Sequence, residues 1–285
     1  MKEIAENIYI EEGYPGVTLG AIKMIGGSVL IDSPPRPEDS LSWHSSLQSQ
    51  GIASSRLLVN LDSHPDRTIG ARAMNTTVIA HQLTSDEFSN RTAMFKAQNA
   101  NSGAEWEECS GLSGIRWQPP NLTFSDQITI KWGKVDVVLK HQPGHVTDAA
   151  WVIIPDKKVV FVGDAVTVRQ PPFLENADIS LWVNSLDLLL SNVFTDYIVI
   201  SGRGGLASGL VIRDMRNFLI DVQKRLDRIA ARDNDPQATE KLVPKLIDKY
   251  KFPSKHREMY TNRLRHGLYQ YYAEQLQPAP ASNLK

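Results

Sequence analysis

The stretch "LLVNLDSHPDRTIGAR", residues 57–72, places a group of polar side chains directly after an apolar, strand-like run. Asp62, His64, Asp66 and Arg67 fall within six residues of one another in it. Loops that follow strands often carry function, because a rigid scaffold holds them in place. Carboxylates and imidazoles are common metal ligands, whereas an arginine has no lone pair to offer. The stretch therefore predicts a functional loop whose chemistry depends on Arg67.

Three later segments repeat this arrangement of a strand followed by polar residues. "HQPGHVTD" (141–148) carries His145, "FVGDAV" (161–166) carries Asp164, and "ISGRGG" (200–205) carries Arg203. Each follows a run rich in β-branched residues, which is typical of a strand. We expect the four loops to lie close together and to form one site.

The chain divides near residue 208. Before that point, strand-like runs alternate with helical patterns, and after it every pattern is helical, with apolar residues at helical spacing. The runs predict strands over 7–12, 17–25, 27–33, 56–61, 77–81, 127–132, 135–141, 149–154, 158–164 and 197–202, and helices over 37–50, 67–74, 84–100 and 178–193. The expected organisation is an α+β domain over 1–208, a helical region over 209–275 packed on it, and a disordered tail over 276–285.

Composition excludes several classes of protein. The chain has 285 residues, a net charge of −1 and 41% hydrophobic residues, which favours a globular protein without a nucleic-acid or anionic-membrane partner. Its single cysteine, Cys109, excludes an intrachain disulfide and a cysteine-based zinc site. Since we find no signal-peptide pattern and no apolar run that would span a bilayer, we expect a cytoplasmic protein.

The four ordered loops resemble those of the metallo-β-lactamase fold superfamily. That family carries H-x-H-x-D-H in its first loop, then a His in a P-G-H-T-like turn, an Asp in a G-D turn and a final His in a G-H-G turn. The motifs fall here on "DSHPDR", "PGH", "GD" and "GRG" in the same order, and the resemblance covers roughly residues 7–208. It implies a four-layer αββα sandwich of the α+β class, extended here by the C-terminal helices.

The resemblance also assigns roles to the loop residues. The first metal ion of the family would lie among Asp62, His64, His145 and Asp164, with Asp62 in place of a His. The second would lie among Asp66, Asp164 and the positions of Arg67 and Arg203, which both replace His. Because arginine does not deprotonate in proteins, the second ion is not expected to bind.

The sequence alone does not decide whether the first metal site binds an ion. Two imidazoles and two carboxylates suit one zinc, iron or manganese ion. Alternatively, Asp62, Asp66 and Asp164 pair with Arg67 and Arg203 in a network without metal.

Two functions follow from these alternatives. The first is a hydrolase of the metallo-β-lactamase type with at most one metal, whose bound water attacks an unknown small-molecule substrate that could be anionic. In it Asp66 orients the water or acts as general base, and Arg67 and Arg203 hold an anionic group. The second is a non-catalytic, metal-free protein that binds a small anionic ligand through the same two arginines. A homodimer, or a purely structural partner subunit, that uses the C-terminal helices as its interface is a further interpretation.

Overall fold

The computed structural model of the chain describes residues 1–52, 56–97, 101–232 and 235–276. The predicted tail, apart from Leu276, therefore lies outside the described residues. The predicted helix 84–100 is wrong beyond Asn90, where the observed helix ends, and its last three positions, 98–100, also lie outside the described residues.

Two β-sheets form the centre of the molecule. The first contains β1 to β7 in sequence order, and the second has the order β13-β12-β11-β10-β9-β8. The strands of the first are Lys2–Ala5, Ile8–Glu11, Leu19–Met24, Gly27–Ile31, Arg56–Val59, Thr77–His81 and Leu122–Phe124, and those of the second, from β8 to β13, are Gln127–Ile130, Val137–His141, Ala150–Ile154, Val159–Phe161, Ile198–Ile200 and Leu206–Ala207. Each predicted strand is present, and the three that the sequence did not reveal, β1, β7 and β13, are short.

Helices cover both outer faces of the sheets. The seven α-helices of the described residues, α1 to α7, are Pro37–Ser49, Pro65–Thr68, Gln82–Asn90, Ile179–Leu190, Gly209–Ala230, Val243–Ile247 and Arg257–Tyr271. None of the helices within the described ranges is both long and apolar enough to cross a lipid bilayer.

Three apolar clusters account for the layers. Inward-facing residues of the two sheets, such as Val29 and Val152, pack between them. The outer face of the first sheet packs on α1 through Trp43, and the outer face of the second packs on α4 to α7. The chain therefore has the predicted αββα sandwich with additional C-terminal helices. Because these helices share one cluster with the second sheet, the proposed division at residue 208 stays a prediction.

His81 joins β6, α3 and β9 at one end of the sandwich. This residue ends β6 and caps α3, since its Nδ1 accepts a hydrogen bond from Leu83 N–H at 3.2 Å. Its Nε2 lies 2.7 Å from the carbonyl oxygen of Ser125, and its ring stacks on His141 with centroids 3.8 Å apart. Both hydrogen bonds require the neutral imidazole with hydrogen on Nε2. Burial lowers the pKa of His81, and His141 lowers it further, whereas Ser125, Asp148 and Asp86 oppose the shift.

We predict a loss of stability at acidic pH that depends on His81. Because its pKa is lower in the folded protein, the unfolded chain takes up the proton first as pH falls below about 6.5. The stability from the neutral imidazole is thus present above that pH and is lost below it. In His81→Asn the side chain still caps α3 but does not titrate. The difference in unfolding free energy between wild type and variant should therefore move in favour of the variant between about pH 7.5 and about pH 5, measured by urea denaturation. A difference that is constant with pH would contradict this role.

Candidate functional site

The four predicted loops meet at one edge of the sandwich, where their strands end. Asp62 and Arg67 follow β5, His145 follows β9, Asp164 follows β11 and Arg203 follows β12. Direct polar contacts join all four loops, beginning with Asp62, whose Oδ2 accepts from His145 Nε2 at 3.1 Å. The structure therefore brings together every residue that the sequence proposed for the site.

Arg67 lies at the centre of this cluster. It belongs to α2, a single turn with Pro65 at its first position. Its Nη1 donates to Asp32 Oδ2 at 2.9 Å, its Nε lies 3.0 Å from Asp62 Oδ1, and its Nη2 lies 2.6 Å from Asp164 Oδ1. Its side chain has no exposed surface. One guanidinium thus joins three carboxylates from three different loops.

Arg203 occupies the opposite side of Asp164. Its Nε donates to Asp164 Oδ2 at 2.9 Å and its Nη1 to Asp66 Oδ2 at 2.8 Å, while Nη1 also pairs with Glu105. The side chain is 1% exposed. Arg203 therefore bridges Asp66 and Asp164, the two carboxylates that the resemblance assigns to the second metal ion.

A third buried arginine, Arg263 of α7, completes the cluster. Its Nη2 donates to Glu105 Oε1 at 2.8 Å, and its Nη1 donates to Gln170 Oε1 at 2.8 Å. The ring of Phe173 lies against both Arg203 and Arg263, with guanidinium carbons 4.5 and 4.1 Å from its centroid. Such cation–π contacts favour a desolvated guanidinium. The C-terminal helices thus contribute directly to the site.

The cluster has more acids than arginines. Within the described residues, three guanidiniums (Arg67, Arg203 and Arg263) contact five carboxylates: Asp32, Asp62, Asp66, Glu105 and Asp164. Burial raises the pKa of Asp32 to about 7 and that of Asp66 to about 7, although Arg67 and Arg203 respectively oppose the change. For the other three acids, nearby positive groups outweigh the effect of burial and lower the pKa. Arg67 and His145 lower the pKa of Asp62 to about 2, and Arg263 and Arg203 lower that of Glu105 to about 2. Arg203 and Arg67 hold the pKa of Asp164 well below its usual range. The cluster therefore holds more acidic groups than guanidiniums, and burial keeps the pKa of two of these acids, Asp32 and Asp66, above the usual aspartate range.

Hydrogen bonds fix the orientation of both imidazoles of the site. His64 Nδ1 accepts from Asp66 N–H at 3.3 Å and faces Arg203 Nη2 at 3.3 Å, so its hydrogen lies on Nε2. Burial, aided by Arg203, lowers the pKa of His64 to about 4, so the ring is neutral. His145 gives its Nε2 hydrogen to Asp62, and its Nδ1 is buried without a hydrogen-bond partner among the described residues. Neither ring therefore offers a solvent-accessible lone pair.

The proposed metal ligands do not fit a metal ion in this arrangement. Both oxygens of Asp62 and both oxygens of Asp164 face a guanidinium or an imidazole. The described residues contain no group of three or more His, Cys, Asp or Glu side chains placed to hold an ion. The four predicted ligands, Asp62, His64, His145 and Asp164, therefore lie close together, but Asp62, His64 and Asp164 contact arginines and His145 contacts Asp62.

The expected roles of Asp66, Arg67 and Arg203 also need correction. Asp66 was proposed to orient a metal-bound water or act as general base, and Arg67 and Arg203 to hold an anionic group, yet all three side chains are at most 1% exposed. Each guanidinium is surrounded by carboxylates of the chain itself. The two arginines thus act as internal counter-ions, and a role as receptors for an anionic ligand does not agree with their burial.

Several residues of the cluster were missed by the sequence analysis. Asp32 follows β4 in "GSVLIDS", so its position at a strand end was a usable signal. Glu105, Phe173 and Arg263 come from a short 3-10 helix, a loop and a distant helix, and no local pattern marks them. Close backbone packing was also unforeseen: at Gly16, with φ of 71°, an added Cβ would lie 2.7 Å from Asp66 Cγ.

Comparisons with known proteins agree with this fold. The sequence model of the metallo-β-lactamase superfamily matches residues 63–195. A metallo-β-lactamase from Pontibacter korlensis superposes with a TM-score of 0.61 at 17% identity, covering 77% of this chain and 98% of that one. A metallo-β-lactamase family protein from Thermus thermophilus gives 0.62 at 16% identity and covers 94% of both chains. A sec-alkylsulfatase from Pseudomonas sp. gives 0.66 at 16% identity, covering 98% of this chain and 52% of that one. No curated protein matches the sequence.

Residues 63–195 therefore match the metallo-β-lactamase superfamily in sequence, and the chain has the fold of solved members of that superfamily. Its C-terminal helices are not peculiar to it, since two of these structures cover nearly the whole chain. What sets it apart from the family's motifs is the substitution of Asp62, Arg67 and Arg203 for histidines.

We predict that Arg203→Ala lowers the free energy of unfolding by about 3–5 kcal/mol, because it leaves Asp66 buried without an arginine partner and removes one of the two arginines that contact Asp164 and Glu105. The matched control is Arg216→Ala, which removes a pair with Asp187 whose side chains are 31% and 48% exposed. That change should cost less than about 1 kcal/mol. Equal losses in the two variants, measured by urea denaturation, would show that Arg203 is not a buried counter-ion.

Proposed function

We propose that this chain is a metal-independent binding protein for a small polar molecule, built on a fold whose other members include hydrolases. The observation that carries the proposal is the position of Arg203, which donates to both Asp164 and Asp66. A guanidinium there supplies the positive charge that a bridging ion would otherwise supply. Together with Arg67 it also takes the carboxylate oxygens that a metal would need.

The binding site is the cleft above this cluster. It has a volume of about 390 Å³, which lies within the roughly 300–1,000 Å³ typical of small-molecule sites. His64, His145, Asp148 and Phe173 are among its lining residues, with Glu175 and Glu274 on its rim. The cleft therefore joins a fixed polar floor to one aromatic wall.

The charges of the cleft favour a neutral or cationic ligand. Glu87, Asp148, Glu175 and Glu274 line it, against Arg91 as the single arginine or lysine among its described lining residues. The guanidiniums of Arg67 and Arg203 do not change this balance, because each is already paired with carboxylates of the chain. This differs from the anionic ligand expected from the sequence.

Hydrogen bonding within the cleft favours binding over catalysis. His64 Nε2 carries a hydrogen and has no partner among the described residues, so it is available to a carbonyl or hydroxyl oxygen of the ligand. A general base needs an accessible lone pair near the proton that it removes. Neither His64 nor His145 provides one, and Asp62 is held by Arg67 and His145. The residues at the positions of the family's first metal ion therefore support recognition of a ligand rather than activation of water.

A metal titration tests the first half of this proposal. We predict that protein expressed without added metal contains less than stoichiometric transition metal, and that zinc, iron(II) or manganese(II) gives no binding heat in calorimetry. The matched positive control is a triple variant that restores the family's histidines: Asp62→His, Arg67→His and Arg203→His. Because imidazoles ligate metals, this variant should bind the metal ions that the wild type does not. Tight stoichiometric metal in the wild type that is lost in His64→Ala, or metal-dependent hydrolysis in a broad substrate screen, would instead favour the hydrolase.

A blocking variant tests the second half. We predict that neutral or cationic metabolites raise the melting temperature of the wild type; a ligand at one hundred times its Kd stabilises by about 2.7 kcal/mol. Thr147→Trp should abolish this shift by filling the cleft, which Thr147 lines. Thr195→Trp, at an exposed turn that does not line the cleft, is the control. A library whose hits are all anionic, or hits that Thr147→Trp leaves unchanged, would contradict the proposed cleft.

A further inference from the structure

A second cavity lies away from the cleft, against α5. It has a volume of about 460 Å³ and is bounded by the segment 167–169, one face of α5 and the segment 249–251. It shares no lining residue with the cleft. We call it the α5 cavity.

The floor of the α5 cavity is apolar. Met215 and Phe218 of α5 are buried, and the ring of Tyr250 packs edge-on against Phe218 with centroids 5.3 Å apart. Val211, one turn earlier on the same helix, is partly buried and extends this surface. Burial raises the pKa of Tyr250, and Asp214 raises it further, so the hydroxyl is neutral. The floor thus suits an alkyl chain or an aromatic ring.

The rim of the α5 cavity is cationic. Arg169, Lys249 and Lys251 line it, against Asp214 as the single acid among its described lining residues. Lys249 pairs with Asp221 at 2.6 Å, whereas Arg169 and Lys251 are exposed and have no ion-pair or hydrogen-bond partner in the described ranges. Two positive charges beside an apolar floor are therefore left without a counter-ion.

The backbone holds Arg169 in a strained position at this rim. Its φ is 60°, in the left-handed region that residues other than glycine rarely adopt. Two hydrogen bonds fix the turn around it: Val168 N–H donates to Arg203 C=O at 2.9 Å, and Thr167 Oγ1 donates to Gln170 C=O at 2.9 Å. Such strain tends to occur at functional positions, where the surrounding structure maintains it.

We propose that the α5 cavity binds an amphipathic carboxylate, with its apolar body on Met215, Phe218 and Tyr250 and its anionic group between Arg169 and Lys251. The apolar floor supplies affinity through burial of hydrocarbon. The two cations select an anion over an alcohol or an amine of the same length, since a charge-assisted hydrogen bond is about twice as strong as a neutral one. The site is independent of the function proposed for the cleft.

Calorimetry with decanoate, below its micelle-forming concentration, tests this proposal on the full chain. We expect one decanoate per chain, with decanol and decyltrimethylammonium each binding at least about tenfold more weakly, which is about 1.4 kcal/mol. Arg169→Gln and Lys251→Gln should each weaken the binding of decanoate by a similar factor. Val211→Trp, at a partly exposed position, should block it by filling the cavity.

The control variant is Lys224→Gln, which removes an exposed positive charge elsewhere on α5 and should leave decanoate binding unchanged. Several results would overturn the proposal: no binding of decanoate, equal binding of decanol, or equal weakening by Lys224→Gln and Arg169→Gln. Binding that persists in Val211→Trp would likewise place the ligand elsewhere. Thr147→Trp should not affect decanoate, so failure here is distinguishable from failure of the cleft proposal.

Discussion

The carboxylate of Asp164 between two arginines is the interaction on which the rest of the site depends. Arg67 Nη2 lies 2.6 Å from one oxygen and Arg203 Nε lies 2.9 Å from the other. A buried carboxylate without partners would be costly and would take up a proton. Here two guanidiniums keep it ionised, and each of them extends the network to further acids, so that Asp164 joins the loops after β5, β11 and β12.

This network also explains how the C-terminal helices relate to the sandwich. Glu105 accepts from both Arg203 and Arg263, so the charge balance near Asp66 depends on a residue of α7. Phe173 lies against both guanidiniums and excludes water from them. Because removal of one partner strands the others, the helices and the loops are coupled energetically, beyond the apolar cluster that they share.

The sequence was sufficient for the fold and for the four loops that form the site, but not for every residue of the site or for its geometry. Alternating apolar runs revealed the longer strands, and the residue type of Arg67 and Arg203 already excluded them as metal ligands. Local patterns could not reveal which group each side chain of the site faces. Whether Asp62 faces a metal or a guanidinium depends on Asp32 and Asp164, which are distant in sequence. Arg263 is an ordinary helical arginine until the chain folds and brings it to Glu105. The sequence also did not show that both arginines are already surrounded by acids, which is the observation behind the proposal of a neutral or cationic ligand.

The most direct test of the central claim is X-ray anomalous scattering at the zinc edge from crystals grown in excess zinc. If guanidiniums have replaced the metal ions, the density at Asp66 and Asp164 will show the side chains of Arg67 and Arg203 in place, with no anomalous peak among them. An anomalous peak between Asp164 and His145, or between Asp66 and Asp164 with Arg203 turned away, would contradict the account.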